Sequence, residues 1–349
     1  MKIHPRFKLN GKSYSNKALK EVAHGLLKDD AFYKQTIGEF LLEWLNSSES
    51  IIVSTSGSTG NPKKIHLKKE QMINSAMATG TFFKLKEENT ALLCLPCTFI
   101  AGKMMLVRAM VLGLELDCVN PDLKPLSNNS KTYDFAAMIP LQVQNSIKQL
   151  CVINKLIIGG APIGNNLESD LKSLPNNIYE TYGMTETITH IAIRKVGAPF
   201  FKALPEVILT KDEKDCLVIN VPKISNTTIV TNDLVDLVGA TKFKWLGRYD
   251  NIINSGGVKL IPEKIENELA KYIQQRFFVA GLPDEQLGKK LVLVVEGKEN
   301  TEQLLQVIKE KTLLKKFEVP KRIYQIPSFI ETENGKVLRS KIVETIVEA

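Results

Sequence analysis

Between residues 69 and 158, short uninterrupted apolar runs alternate with longer stretches of helical periodicity. This alternation constrains the fold more than any other feature of the chain. Lys69–Phe83 reads as a helix, Ala91–Pro96 as a buried strand and Gly102–Val111 as a helix. Phe135–Ile139 reads as a strand, Pro140–Leu150 as a helix, and Lys155–Ile158 as a strand ending in Gly159-Gly-Ala-Pro162. Strands that are apolar on both faces need cover on both faces. The predicted class is therefore α/β, with layers of helices around a largely parallel sheet. Ahead of this region, Ile37–Leu45 reads as an amphipathic helix with Phe40, Leu41, Trp44 and Leu45 on one face.

After Gly197 the pattern changes. Glu206–Thr210 and Cys216–Val221 flank a charged turn, Lys211–Asp215, and read as a β-hairpin. Thr227–Val230 and Phe243–Leu246 add strands to what reads as a small β-subdomain. From Arg248 onward a compact α+β tail is expected, with helix Pro262–Ile273, strand Leu291–Val295, helix Thr301–Leu314 and strand Arg322–Ile326. The boundary falls near Arg248–Asp250, dividing a large domain, residues 1–248, from a small C-terminal domain, residues 249–349.

A chain of 349 residues is long enough for two domains, and 44% apolar against 24% charged residues supports a sizeable core. The net charge of +8 suits anionic small ligands, or simply a solvated basic surface. Lys and Arg are scattered, with no aromatic-interleaved motif, so nucleic-acid binding is not expected. No apolar stretch is long enough to span a bilayer, and membrane insertion is not expected. There are five cysteines, and Cys94-Leu-Pro-Cys97 lacks the second pair or nearby His of a zinc site. An odd cysteine count without a signal peptide suits a cytoplasmic protein with free thiols.

The chemistry-bearing segment is Ser54-Thr-Ser-Gly-Ser-Thr-Gly-Asn-Pro-Lys-Lys64, preceded by an apolar run, Ile51–Val53, that reads as a strand. Thr55, Ser56, Ser58 and Thr59 offer hydroxyls and backbone N–H groups. Gly57 and Gly60 let a ligand approach the backbone, and Lys63 adds charge. That combination suits a polyphosphate, although the spacing is not that of the usual nucleotide P-loop. The alternative is a flexible surface linker.

Three later segments follow in order: Tyr182-Gly-Met-Thr-Glu-Thr187, Gly247-Arg-Tyr-Asp250 with Ser255-Gly-Gly257, and Asn334-Gly-Lys-Val-Leu-Arg339. With the loop at 54–64 they resemble the acyl-adenylate-forming (AMP-binding) superfamily. The resemblance runs from Ile51 to the C-terminus. Within the superfamily the chain is most similar to the o-succinylbenzoate–CoA ligases of menaquinone biosynthesis. That similarity rests on the short chain, on Leu95-Pro96 followed by Ile100-Ala-Gly-Lys103, and on Ser255-Gly-Gly-Val-Lys259 followed by Pro262-Glu-Lys-Ile-Glu266. Most members carry a longer N-terminal part, so a shortened form is expected.

The resemblance implies an ATP- and Mg²⁺-dependent acid–CoA ligase. A carboxylate would attack the α-phosphorus of ATP to give an acyl-adenylate and pyrophosphate, and the CoA thiolate would then displace AMP. It implies Glu186 as the Mg²⁺ ligand, Thr185 as a donor to the α-phosphate and Tyr182, with Gly183 beside it, as an adenine surface. Gly159, Gly160 and Ala161 would line adenine. Asp233, with Asp236 as a rival, would hold the ribose hydroxyls, and Arg248 the ribose or phosphates. Asp250 would be the hinge of a mobile C-terminal domain, and Ser255, Gly256 and Gly257 would face the CoA tunnel. Lys336 would be the catalytic lysine. Phe99, Lys103, Arg108 and His190 are candidates for the acyl pocket. For the two cations the alternative is a solvated helix face, and for His190 a structural role. The small-molecule partners implied are ATP, CoA and an aromatic carboxylic acid, and the assembly is open between monomer and homodimer. Other readings are a CoA ligase for a different aryl or acyl acid, an adenylation module that loads a carrier protein, and a non-catalytic AMP-binding protein.

Overall fold

The computed structural model describes residues 3–54, 64–127, 130–298, 301–331 and 337–348. The chain divides into two compact units. One comprises Met1–Leu209, Ile219–Ile229 and Gly239–Lys242, and the other Thr210–Val218, Val230–Val238 and Phe243–Ala349.

In the first unit the strands are β1 (Lys8–Leu9), β2 (Lys12–Ser13), β3 (Ser50–Ser54), β4 (Lys64–Lys68), β5 (Thr90–Leu93) and β6 (Glu115–Cys118). They are followed by β7 (Tyr133–Met138), β8 (Ile153–Ile158), β9 (Asn177–Gly183), β10 (His190–Lys195) and β11 (Phe201–Ala203). The helices are α1 (Asn16–Leu26), α2 (Phe32–Leu45), α3 (Lys69–Phe83), α4 (Ile100–Leu112), α5 (Pro140–Asn145) and α6 (Asn165–Lys172). The sheet runs β11-β10-β9-β8-β7-β5-β6-β1-β2. Its centre is parallel, through the pairs β6–β5, β5–β7, β7–β8 and β8–β9, and β10 and β11 turn antiparallel at one side.

The predicted alternation is present, with corrections at its edges. The helix expected to run from Pro140 to Leu150 stops at Asn145, and a 3₁₀ turn, Ile147–Val152, follows Ser146. Strand Ile51–Val53 does not join the large sheet. It lies in β3, which pairs antiparallel with β4, with Ser54 opposite Lys64. The two ends of the Ser/Gly-rich loop are therefore side by side. Leu92, Met138, Ile158, Ile163 and Leu167 form one core cluster behind the sheet.

Helix α4 has no polar face. Met104, Met105, Leu106, Val107, Arg108, Ala109 and Met110 are all buried, as in a helix covered on every side. Gly102 permits its close approach, because a Cβ there would lie 2.3 Å from the Pro96 carbonyl oxygen. This gives a packing reason for the Leu95-Pro96 and Ile100-Ala-Gly-Lys103 segments.

In the second unit a ribbon of β12 (Ile208–Lys211), β13 (Cys216–Asn220), β14 (Ile229–Leu237) and β15 (Lys242–Arg248) appears in that order. A five-stranded sheet follows, built from β16 (Ile253–Ser255), β17 (Val258–Leu260), β18 (Phe277–Asp284), β19 (Gly288–Glu296) and β20 (Arg322–Ile326). Helices α7 (Pro262–Leu269) and α8 (Thr301–Lys311) share one core cluster with this sheet, and α9 (Arg339–Glu348) packs into another. Helix α7 ends at Leu269, not Ile273. The expected helix, strand, helix and strand of the α+β tail follow in order, although α8 ends at Lys311, not Leu314, and β16, β17, β18 and α9 were not foreseen.

Candidate active site

Two of the predicted segments emerge at the carboxyl ends of neighbouring parallel strands, where α/β sheets bind ligands. Gly159-Gly-Ala follows β8, and the Met184–Thr187 turn follows β9. Gly159 is required by close packing, since its Cβ would lie 2.6 Å from Thr181 Oγ1. That hydroxyl donates to the Ile158 carbonyl at 3.0 Å. Gly160 has φ +87°, a left-handed conformation that favours glycine.

The second turn closes tightly on itself. Thr187 is fully buried, and its Oγ1 accepts from Met184 N–H at 2.9 Å and lies 2.7 Å from the Thr189 carbonyl. A Cβ at Gly183 would sit 2.2 Å from that same carbonyl oxygen. Ile188 takes φ +65°, an uncommon value for a β-branched residue, at the exit of the turn. The turn carries Thr185 half-buried and Glu186 exposed. Among the described residues Glu186 has no hydrogen-bond or ion-pair partner. No cluster of three His, Cys, Asp or Glu side chains able to hold a metal occurs among them either. A single free carboxylate beside substrate phosphates is nevertheless the arrangement that Mg²⁺ commonly uses, so Glu186 fits that ion. The Tyr182 ring packs edge-on to Phe201 at 6.0 Å.

Beneath the Glu186 turn lies a buried polar cluster. Arg108 is 2% exposed. Its Nε donates to Thr79 Oγ1 at 3.4 Å and one terminal NH₂ donates to Thr189 Oγ1 at 3.2 Å. Thr189 also meets Ser75 Oγ at 3.1 Å, and His190 Nε2 lies 3.3 Å from Thr79 Oγ1. Among the described residues no carboxylate pairs with Arg108. Burial alone pushes its guanidinium down to about 10. Burial, and then the Arg108 charge, holds the His190 imidazole well below its ordinary value and therefore neutral. The structure thus brings Arg108 and His190 together, and Arg108 is not on a solvated helix face. Ser75 and Thr79 were not singled out from sequence, although their i, i+4 spacing on α3 puts both on one helix face. Lys103 is differently placed: it pairs with Glu43 at 3.3 Å and sits over the Phe40 ring at 5.1 Å. Phe99 is half-buried at the start of α4.

In the second unit, Asp233 on β14 is 9% exposed and its Oδ1 accepts from Trp245 Nε1 at 3.1 Å. It stands opposite Arg248 in the strand register, whereas Asp236 is exposed. Asp250 accepts from Asn232 Nδ2 at 2.9 Å and from Arg248 at 3.3 Å. Ser255 is buried, and Gly256 and Gly257 form the two-residue turn between β16 and β17. Their φ values are +56° and +80°, and both positions of such a turn need positive φ. Glu266 on α7 receives Arg339 in a two-pronged pair at 2.7 and 2.9 Å and also accepts from Val279 N–H. Burial raises its carboxyl, and the Arg339 charge opposes that. Thr55, Ser56, Gly57, Ser58, Thr59, Gly60, Lys63 and Lys336 lie outside the described residues.

Of the five cysteines, Cys94, Cys97 and Cys216 are buried, Cys118 is half-buried and Cys151 exposed, and none is in a disulfide. Among the described residues no helix is long and apolar enough to cross a membrane.

Residues 44–214 match the model of the AMP-binding enzyme family. A crystal structure of an acyl-CoA synthetase (AMP-forming)/AMP-acid ligase II-like protein from Dyadobacter fermentans is 34% identical. It aligns over 94% of this chain and 98% of its own length with a TM-score of 0.62. The 2-succinylbenzoate–CoA ligase of Listeria monocytogenes is 24% identical over 88% of this chain and 72% of its own. The O-succinylbenzoate coenzyme A synthetase of Bacillus subtilis, solved with ATP and magnesium ion, is 19% identical. It aligns over 83% of this chain and 69% of its own with a TM-score of 0.72, a likeness of fold.

Proposed function

Because the chain belongs to the AMP-binding enzyme family, whose named relatives include AMP-forming acid–CoA ligases, we propose that its acid substrate is o-succinylbenzoate. The observation that carries this choice is Arg108. A cation taken out of water with only hydroxyl and thioether neighbours is held at a cost. An anionic group of the ligand offsets that cost and forms charge-assisted hydrogen bonds. o-Succinylbenzoate has two carboxylates, so one can react while the other is held. Neutral His190, Thr79, Ser75 and Thr189 supply further polar partners around the guanidinium. The 2-succinylbenzoate–CoA ligases among the relatives support the same acid.

The reaction runs in two displacements. A carboxylate oxygen of the acid attacks the α-phosphorus of ATP, and the bond to pyrophosphate breaks. The CoA sulfur then attacks the acyl carbon, the acyl–phosphate bond breaks, AMP leaves with the electron pair, and the thiol proton goes to solvent. Both steps need developing charge to be stabilised more than they need a protein nucleophile. The proposed roles follow. Thr55–Gly60 and Lys63 hold the phosphates, Gly159–Ala161, Tyr182 and Gly183 the adenine, and Asp233 and Arg248 the ribose. Thr185 donates to the α-phosphate, and Glu186 is the carboxylate for Mg²⁺, which when bound neutralises phosphate charge. Lys336 orients the attacking carboxylate against the α-phosphate. Asp250 is the pivot of the tail, and Ser255, Gly256 and Gly257 approach CoA.

The test is a comparison of kcat/KM across o-succinylbenzoate, benzoate, phenylacetate and a fatty acid. o-Succinylbenzoate should rank first. A higher value for a monocarboxylic acid refutes the substrate while leaving the ligase class intact.

A further inference from the structure

Glu180 lies on β9, two residues before Tyr182, and is 6% exposed. Each of its carboxylate oxygens has a separate task. Oε1 accepts the backbone N–H of Ile163 at 3.1 Å, at the far end of the Gly159-Gly-Ala-Pro turn. Oε2 accepts from Arg194 Nε on β10. Arg194 is itself held on its other edges: it donates to Glu168 Oε2 on α6 at 2.9 Å and to the Ala198 carbonyl at 3.0 Å. Its guanidinium plane lies 5.4 Å from the Phe201 ring centre, and Phe201 packs against Tyr182.

One ion pair, its carboxylate buried and its guanidinium half-buried, therefore touches both segments that flank the adenine in the proposed reading. Through Ile163 it fixes where the glycine turn ends, and through Phe201 it backs the Tyr182 ring. The near end of the turn is tied separately, by Gly159 N–H to the Met138 carbonyl at 3.1 Å. A buried carboxylate whose two oxygens are bonded one to a backbone N–H and the other to a guanidinium acts as a brace, because both donors are themselves fixed in the fold.

We infer that Glu180 and Arg194 are positioning residues for nucleotide binding, holding the Gly159–Ile163 turn and the Tyr182 ring at the separation that an adenine base requires. The inference rests on the proposed adenylation reading. It predicts a loss confined to the nucleotide. Arg194→Lys removes the forked donor and the flat face on Phe201 while keeping the charge. Glu180→Gln keeps an acceptor for Ile163 but loses the charge that holds Arg194.

The experiment is equilibrium binding of AMP by calorimetry, with steady-state KM values for ATP and the acid, on the full chain. For Arg194→Lys the Kd for AMP and the KM for ATP should rise about tenfold, the scale of one charge-assisted hydrogen bond lost from binding. KM for the acid and kcat should stay near wild type. Glu180→Gln should shift in the same direction. A purely structural pair would lower the melting temperature and the active fraction, and hence kcat, without moving Kd for AMP. Should both variants fail to fold, Glu168→Gln, which removes one outer partner of Arg194, is measured instead, and a smaller rise in Kd is expected. If wild type binds AMP and the folded variants bind it equally well, the inference is overturned and the adenylation reading stands. If wild type itself does not bind AMP, the adenylation reading falls and the inference falls with it.

Discussion

Replacing Arg108 by Met should separate recognition of the acid from folding, because the structure assigns the two effects opposite signs. Burial takes the Arg108 guanidinium from its ordinary 12.5 to about 10. That difference corresponds to about 3 kcal/mol of penalty on its charged form. No carboxylate among the described residues offsets the penalty, so the folded protein carries it. Methionine is of similar length, is neutral and would pack beside Met105, which Arg108 already touches. The variant should therefore melt at or above the wild-type temperature, whereas an arginine in a satisfied ion pair would lose stability when its partner is left behind. The ligand's second carboxylate would lose its charge-assisted hydrogen bonds to the cation, about 1.5–3 kcal/mol, which corresponds to a rise of roughly ten- to hundredfold in KM for o-succinylbenzoate. KM for ATP should change less than about threefold, since the nucleotide does not depend on this cation. The assay is steady-state pyrophosphate release with each substrate varied in turn, beside a thermal melt. If the variant keeps the wild-type KM for the acid, Arg108 is not the acid's partner. If it melts well below wild type, the reading of an uncompensated cation is wrong.

Further outcomes follow from single contacts. Gly183→Ala should lower the melting temperature by several degrees, about 2 kcal/mol, because its Cβ would meet the Thr189 carbonyl at 2.2 Å; an unchanged melt contradicts the close approach. His190 is neutral and buried, with its pKa depressed below 6.5, so the unfolded chain takes up its proton first as the pH falls. The stability it permits is present above about pH 6.5 and is lost below it, at up to about 1.4 kcal/mol per pH unit. Denaturant melts of His190→Gln between pH 5 and 7 should lack that component of the slope; an unaltered slope assigns the acid sensitivity elsewhere. Lys336→Ala should abolish adenylation yet leave CoA transfer from a supplied acyl-adenylate, and near-normal pyrophosphate exchange would remove the lysine from its role. Glu186→Gln should weaken the Mg²⁺-dependent step, and an unchanged metal dependence would dismiss it as the ligand.

Much of the fold was legible because the carboxyl-terminal parts of β5, β7 and β8, at 91–93, 135–138 and 156–158, are buried on both faces and read as unbroken apolar runs. Strand β9 was not, since Tyr179-Glu180-Thr181-Tyr182 sets two polar residues between two tyrosines and pairs Glu180 with a distant arginine. Only the tertiary partner makes that carboxylate tolerable in the interior. Helix α1 was also missed, although Ser15 caps it through Ala18 N–H, because its polar composition masks two buried contacts, Leu19 and Ala23. In the candidate site, the glycines at 159, 160, 183, 256 and 257 were visible as residues. Their separate reasons were visible only in three dimensions: a threonine hydroxyl, a carbonyl and two left-handed turns. The difference between Lys103 and Arg108 was equally hidden, since both sit on one apolar helix and only Lys103 has a glutamate beside it.

The central claim is that this chain makes an acyl-adenylate from a dicarboxylic aromatic acid before CoA takes part. The direct measurement is exchange of labelled pyrophosphate into ATP, with Mg²⁺ and o-succinylbenzoate but without CoA. The account predicts exchange that depends on the acid and stops when Mg²⁺ is chelated. Exchange that is absent with every carboxylic acid tried, or that appears only once CoA is added, would contradict it.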